Sequence, residues 1–230
     1  MDFNNHAYGR IYITDGFWIT ITDSLISTWI IGGVLIALAI VTRIKLKNFK
    51  AVPETRFQDI IEAMVDAFDG FVVGIMTRKY AYFGSWFFGL FAFLIISNIS
   101  GIFGIRPPSA DLAVTFPLAF MTVVLMQVLG LRHNFKEHLK DFARPVFIFI
   151  PMNIASDLSK SISLSLRLFG NIFGGLIIGG LMYALLPRVF TIAIPGVLSL
   201  YFDIFVGLLH ATIFVMLSMY FMMMKAPAEE

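Results

Sequence analysis

Cysteine is absent from all 230 residues, which excludes a disulfide framework, a thiolate-ligated metal and a thiol nucleophile. Charge is scarce as well. Only 14% of residues are charged while 58% are hydrophobic, against about 25% charged in an average soluble domain, so water is a poor solvent for most of this surface. The net charge of +2 is too small to imply a nucleic-acid partner. Apolar and polar residues do not alternate within the long apolar runs, which argues against a closed membrane barrel. Met1 to Asp15 lacks the basic-then-apolar order of a leader, so no cleaved targeting peptide is expected. No His-Glu-x-x-His pair and no nucleophile beside a base are found, and His133 and His138 fall in a basic loop. An enzyme, a metal centre and an organic cofactor are therefore not expected.

Continuous apolar runs fill the remainder. A hydrocarbon core about 30 Å thick takes about 20 apolar residues per helix, so helices spanning a bilayer are the natural solution. The first run, Ser24 to Val41, is followed by Arg43, Lys45, Lys47 and Lys50, which places that loop in the cytoplasm and the N-terminus outside. Pro53 to Tyr80 carries Ile60, Met64, Phe68 and Phe71 at helical spacing among Glu54, Asp59, Glu62, Asp66 and Asp69, the pattern of an amphipathic helix on the cytoplasmic interface. A second span covers Phe83 to Phe103 and ends in the turn Gly104-Ile105-Arg106-Pro107-Pro108. The third span, Leu112 to Leu131, returns the chain to a second basic segment, Arg132 to Arg144, on the predicted cytoplasmic side. Pro187 and Pro195 divide the last apolar stretch into Asn153 to Leu186 and Gly196 to Met224.

The expected fold is all-α and integral to the membrane: about five membrane helices, an interfacial helix, and a final pair forming a long tilted hairpin. The whole chain, 1–230, reads as one membrane domain in four parts. These are an extracytoplasmic segment 1–23, the first spans with the interfacial helix in 24–144, a helical hairpin in 145–224, and a cytoplasmic tail 225–230.

Four charges interrupt the two helical segments of the hairpin: Asp157, Lys160, Arg167 and Asp203. Arg167 precedes the uncharged run Leu168 to Pro187, so it sits within the bilayer at a cost of about 2.5–3.5 kcal/mol on insertion scales. Lys160, Ser163, Arg167, Asn171 and Gly174 recur every three or four residues and form one polar stripe. Such a stripe faces a water-filled cavity or a protein partner. On the following helix Ser199, Asp203, Gly207 and His210 share a face by the same spacing. A guanidinium keeps its proton at any relevant pH, so Arg167 is a fixed charge, while Asp203 and His210 can exchange protons. Plainer readings stand beside these. Lys160 either joins the stripe or snorkels to the headgroups; Asp157 pairs with Lys160 three residues on. Asp203 is either a relay or a buried neutral acid; His210 is either a relay or an interhelical hydrogen bonder. The pairs Gly170/Gly174 and Gly175/Gly179 let a helix approach closely and read first as packing.

The segment Ser163-Leu164-Ser165-Leu166-Arg167-Leu168-Phe169-Gly170-Asn171 resembles the signature of the subunit a family of F-type ATP synthases. Asn98 through Thr115, and Leu209-His210-Ala211-Thr212-Ile213-Phe214, are similar to the same family. The resemblance implies a non-catalytic stator that works against a rotating ring of c subunits, with subunit b and the rest of the synthase as further partners. It implies two offset aqueous half-channels and an ion, H⁺ or Na⁺, carried on a c-subunit carboxylate. Arg167 would hold that carboxylate ionised and block a short circuit; Asp203, His210, Asn171 and Ser163 would serve translocation, with Lys160, Asp157 and Ser199 in support. Many members carry glutamate where this chain has Leu176, histidine or glutamate at Asp203, and glutamine at His210. The expected location is a bacterial plasma membrane. The competing reading, a stand-alone secondary transporter whose Arg167 binds an anionic substrate, expects paired halves or broken helices, and neither is clear in this sequence.

Overall fold

The computed structural model describes residues 7–14, 17–46, 56–143, 147–185 and 193–225. Two short antiparallel strands come first, β1 (Ala7–Thr14) and β2 (Phe17–Thr22), paired from Ala7 opposite Thr22 to Thr14 opposite Phe17. The helical expectation for the membrane part holds, and this hairpin is an addition to it. The signal is present in the sequence: Asp15-Gly16 separates two runs rich in Ile, Tyr, Thr and Trp, the strongest short-range hairpin pattern.

Helices follow: α1 (Asp23–Leu46), α2 (Arg56–Met76), α3 (Gly84–Ile99), α4 (Leu112–His133), α5 (Phe135–Ala143), α6 (Ile150–Leu185), α7 (Ala193–Ser199) and α8 (Gly207–Lys225). A π-helical segment, Leu200–Val206, joins α7 to α8 without a break. Among the described residues five helical stretches are long and apolar enough to cross a membrane: Asp23–Leu46, Arg78–Phe103, Leu112–His133, Phe147–Met182 and Gly196–Lys225. The uninterrupted 36 residues of α6 reach roughly 54 Å at 1.5 Å per residue, far beyond a hydrocarbon core of about 30 Å. Such a helix has to tilt or project from the bilayer.

Pro195 does not break its helix. It occupies the third residue of α7, within the first turn, where the missing N–H has no intrahelical partner to lose. Pro187 lies outside the described residues, as do 226–230 of the expected tail. Lys225, assigned to that tail from sequence, is the last residue of α8 instead. The basic loop containing His133 and His138 is likewise helical: His133 ends α4 and His138 lies within α5, 7% exposed.

The core forms where α4, α6 and α8 meet, with Met126, Leu164, Leu168, Ala211, Phe214, Val215 and Met219 buried together. Phe87, Leu90 and Leu94 of α3 and Val72 and Met76 of α2 extend it. Only the second half of α2 is packed this way, Phe68 meeting Phe88 and Phe91 of α3, while Ile60 and Met64 stay exposed. Outermost is α1, whose Trp29, Ile36 and Leu38 are more than half exposed, as expected of a lipid-facing helix.

Thr77, between α2 and the following 3-10 turn, has φ 63° and ψ 159°. A β-branched residue pays about 1–3 kcal/mol in that region, which glycine occupies freely. Thr77→Gly is therefore expected to raise the midpoint of heat denaturation of the detergent-solubilised protein. A lowered midpoint would mean that the threonine side chain contributes more than its backbone costs.

Candidate functional site

One face of α6 is buried by small polar and aliphatic residues. Ser161, Leu164, Ser165, Leu168 and Ile172 are each at most 3% exposed, and the Ser165 hydroxyl meets that of Thr115 on α4 at 3.0 Å. With that face fixed, helical geometry turns Ser163, Leu166, Arg167 and Gly170 outward, and all four are exposed. No described residue makes a hydrogen bond or ion pair with Arg167. The predicted polar stripe therefore divides. Ser163 and Arg167 remain on the outer face, Asn171 is half-buried with its Nδ2 lacking a partner among the described residues, and Lys160 turns inward. Gly170 and Gly174 have open space where a Cβ would stand, whereas Gly175 packs on Phe202.

Lys160 belongs to a second cluster. Its Nζ donates to Asp157 Oδ1 at 2.7 Å, the pairing read from the sequence. Three further partners come from distant segments. Gln127 of α4 donates to Asp157 Oδ2 at 2.8 Å, His138 Nε2 lies 2.9 Å from Gln127 Oε1, and Lys225 Nζ is 3.7 Å from Asp157 Oδ2. The carbonyl oxygen of Gln127 only accepts, so Nε2 of His138 carries its hydrogen. A lone glutamine in the apolar span of α4 is the clue the sequence offers, since an amide at that depth needs a buried partner.

A cavity of about 360 Å³ opens at the other end of α6. Gly175, Leu176 and Gly179 of α6, Gly101 from the turn after α3, and Ser199, Phe202 and Asp203 line it. The Ser199 hydroxyl donates to Asp203 Oδ2 at 2.6 Å, and a Cβ on Gly101 would stand 3.1 Å from the same oxygen. Leu176, at the position where the resemblance leads one to expect a glutamate, presents only hydrocarbon here, leaving Asp203 as the cavity's ionisable group among the described residues.

Asp203, Gly207 and His210 do not form the continuous face inferred from α spacing. The π segment closes i to i+5 bonds, so one extra residue is accommodated and faces on its two sides fall out of register. Gly207 is buried against Asn98 and His210 is outside the cavity. His210 Nδ1 lies 3.0 Å from the Val206 carbonyl; an oxygen that only accepts places the proton on Nδ1 and leaves Nε2 as the nitrogen able to take one up.

Along α6, Asp157 and Leu176 stand ten residues before and nine after Arg167, about 15 Å and about 13 Å away at 1.5 Å per residue. A fixed cation thus lies midway between two polar centres separated by roughly the hydrocarbon thickness of about 30 Å. Among the described residues no cluster of His, Cys, Asp and Glu is suited to a metal ion.

A family model described as the ATP synthase A chain matches residues 25–223. The chain belongs to this family. Among its relatives, the sodium ion specific ATP synthase subunit a of Propionigenium modestum is 36% identical over 224 residues, 89% of this chain and 73% of that protein. The ATP synthase subunit a of Enterococcus faecalis is 34% identical, with 80% of this chain and 84% of that protein covered. ATP synthase subunit a 2 of a Bradyrhizobium species is 30% identical over 88% of each chain. The match spans α1 through α8, so the hairpin β1–β2 lies outside it. Family membership and the five membrane helices agree with an ion-translocating role and do not favour the stand-alone transporter.

Proposed function

We propose that this chain is the ion-conducting stator subunit of a rotary ATP synthase, non-catalytic itself, working in a bacterial plasma membrane against a ring of c subunits and held by subunit b. The observation that carries the reading is Arg167: a permanent cation on the outward face of the longest membrane helix, unpaired among the described residues of its own chain. A charge so placed is costly unless a partner supplies the opposite sign. A carboxylate passing on a rotor helix is such a partner, and the open space beside Gly170 and Gly174 lets that helix come close.

In this mechanism the cavity at Asp203 is the extracytoplasmic half-channel and the N-terminus lies on that side. Asp203, steadied by Ser199, passes ions between water and the rotor carboxylate; the open Nε2 of His210 and the amide of Asn171 extend the polar path toward Arg167. Ser163, on the same exposed face, continues it toward the cytoplasmic side. Arg167 separates the two paths electrostatically, since a cation moving directly between them meets a fixed positive charge. Asp157 and Lys160 have a supporting role at the cytoplasmic end. An ion therefore crosses only by riding the rotor, and each elementary charge delivers about 2.3 kcal/mol per 100 mV.

The test is made in vesicles that contain the assembled complex. Asp203→Asn is expected to slow ATP synthesis and passive ion leak together, each by roughly ten- to a hundredfold, because a neutral amide cannot exchange a proton. The chain should also copurify with c and b subunits. Normal synthesis in Asp203→Asn would remove Asp203 from the path, and a chain that purifies without c subunits would return the transporter reading.

A further inference from the structure

At the end of α3 four buried polar groups form a chain of hydrogen bonds that the mechanism above does not use. Asn98 Nδ2 donates to the Gly207 carbonyl at 2.9 Å, and Ser109 Oγ donates to Asn98 Oδ1 at 2.9 Å. Ser97 Oγ donates to Ser109 Oγ and accepts from the Ser109 N–H, both at 3.3 Å. Ser97, Asn98 and Ser109 are each at most 2% exposed. This chain ends on a particular residue. Gly207 is the first residue after the π segment, and its N–H closes the last i to i+5 bond onto the Phe202 carbonyl. A Cβ on Gly207 would stand 3.0 Å from Asn98 Cβ, so the contact is close as well as hydrogen-bonded.

The middle of the π segment is held by different contacts. Phe202 packs on Gly175, while Asp203 is bracketed by Ser199 and Gly101. Two anchors therefore fix the helix, one at Phe202 and Asp203 within the π segment and one at Gly207 just after it, in a stretch that carries one residue more than an α-helix would. A π segment is rare and relaxes to α when nothing opposes it. With the core residues Ala211, Phe214 and Val215 fixed and Gly207 released from Asn98, that relaxation would push the surplus residue toward α7. Asp203 would move to the place Phe202 now holds, packed against Gly175 and away from its present contact with Ser199, and Ile204 would take its place at the cavity.

We propose that Asn98, seated by Ser109, is a positioning residue that holds the π register and thereby aims Asp203 into the cavity. The role assigned to Asp203 comes from the function proposed above; the register claim does not depend on it and is measured without ion flow.

The native chain has no cysteine, so single cysteines report without background. Asp203→Cys and Ile204→Cys are each made alone and combined with Asn98→Ala, and labelled in assembled complexes with a membrane-impermeant maleimide added to both sides. In the native background the thiol of Asp203→Cys is expected to label from the cavity, whereas Ile204, outside the cavity and 42% exposed on the apolar outer surface, is expected to give a thiol that stays neutral and is protected from the reagent. Asn98→Ala is expected to reverse the pair, with a change of roughly tenfold in each, the scale of a lost buried hydrogen bond. General loosening would raise both, which overturns the proposal, as does an unchanged pair. If Asn98→Ala does not accumulate in the membrane, Ser109→Ala is read the same way: a smaller reversal supports the proposal and an unchanged pair overturns it.

Discussion

Arg167→Ala is expected to abolish coupled ATP synthesis while leaving passive ion leak at or above the native level. Among the described residues of its own chain the guanidinium has no hydrogen-bond or ion-pair partner, so its removal breaks no such bond there and folding should survive. What is lost is the one charge on the outer face of α6 midway between the cavity at Asp203 and the cluster at Asp157. Its attraction for a passing carboxylate must at least offset an insertion cost of about 2.5–3.5 kcal/mol, which corresponds to roughly two orders of magnitude in occupancy. Synthesis is therefore expected to fall about a hundredfold or more. Leak moves the other way because the electrostatic barrier between the two paths is gone. Both are measured on one vesicle preparation. Synthesis near the native rate would show that Arg167 is a packing residue, and loss of synthesis with a tight membrane would assign it to assembly. Arg167→Lys keeps the charge but loses the planar fork, and should fall between the two.

Asp157→Ala is expected to have the largest effect on stability. Asp157 is 5% exposed and gathers Lys160, Lys225 and Gln127, with His138 behind Gln127, so the N-terminal part of α6 and the ends of α4 and α8 converge on one carboxylate. Removing it leaves two lysine side chains, 19% and 14% exposed, without this counterion. Breaking a buried pair from one side costs about 3–5 kcal/mol, because the remaining charge is uncompensated. The measurement is the temperature at which the detergent-solubilised complex loses this subunit. A double variant, Asp157→Ala with Lys160→Met, should recover part of the loss, since it removes one of the stranded cations. An unchanged midpoint in the single variant would mean that the ammonium groups find other partners and that the cluster contributes little.

The membrane helices are legible in the sequence because their signal is redundant: twenty or so apolar residues with basic residues after them can hardly fold otherwise in a bilayer. Arg167 and Asp203 stand out for the opposite reason, each being a charge in an apolar run that needs water or a partner to offset its cost. The pairing of Asp157 with Lys160 follows from spacing along one helix. Spacing misleads where a face is extrapolated beyond regular geometry. Lys160 shares the stripe of Arg167 by angle, yet its long side chain reaches a carboxylate on the buried side. Asp203 and His210 align by a 3.6-residue period that the π segment interrupts.

Sequence alone determined the solvent, the number of spans, and the family, because each depends on residue type and local spacing. It also singled out the permanent cation, since no neighbouring residue can change the protonation of a guanidinium. Tertiary packing decided the rest. Which face of α6 is outward depends on Thr115 and the core of α4 and α8. Whether Lys225 is tail or cluster depends on an aspartate 68 residues earlier in the chain. Asp203 is placed against Gly101 of a distant segment, and Asn98 holds a carbonyl 109 residues away. These are contacts between distant segments, and a period read along one helix carries no information about the side chains that another helix brings against it.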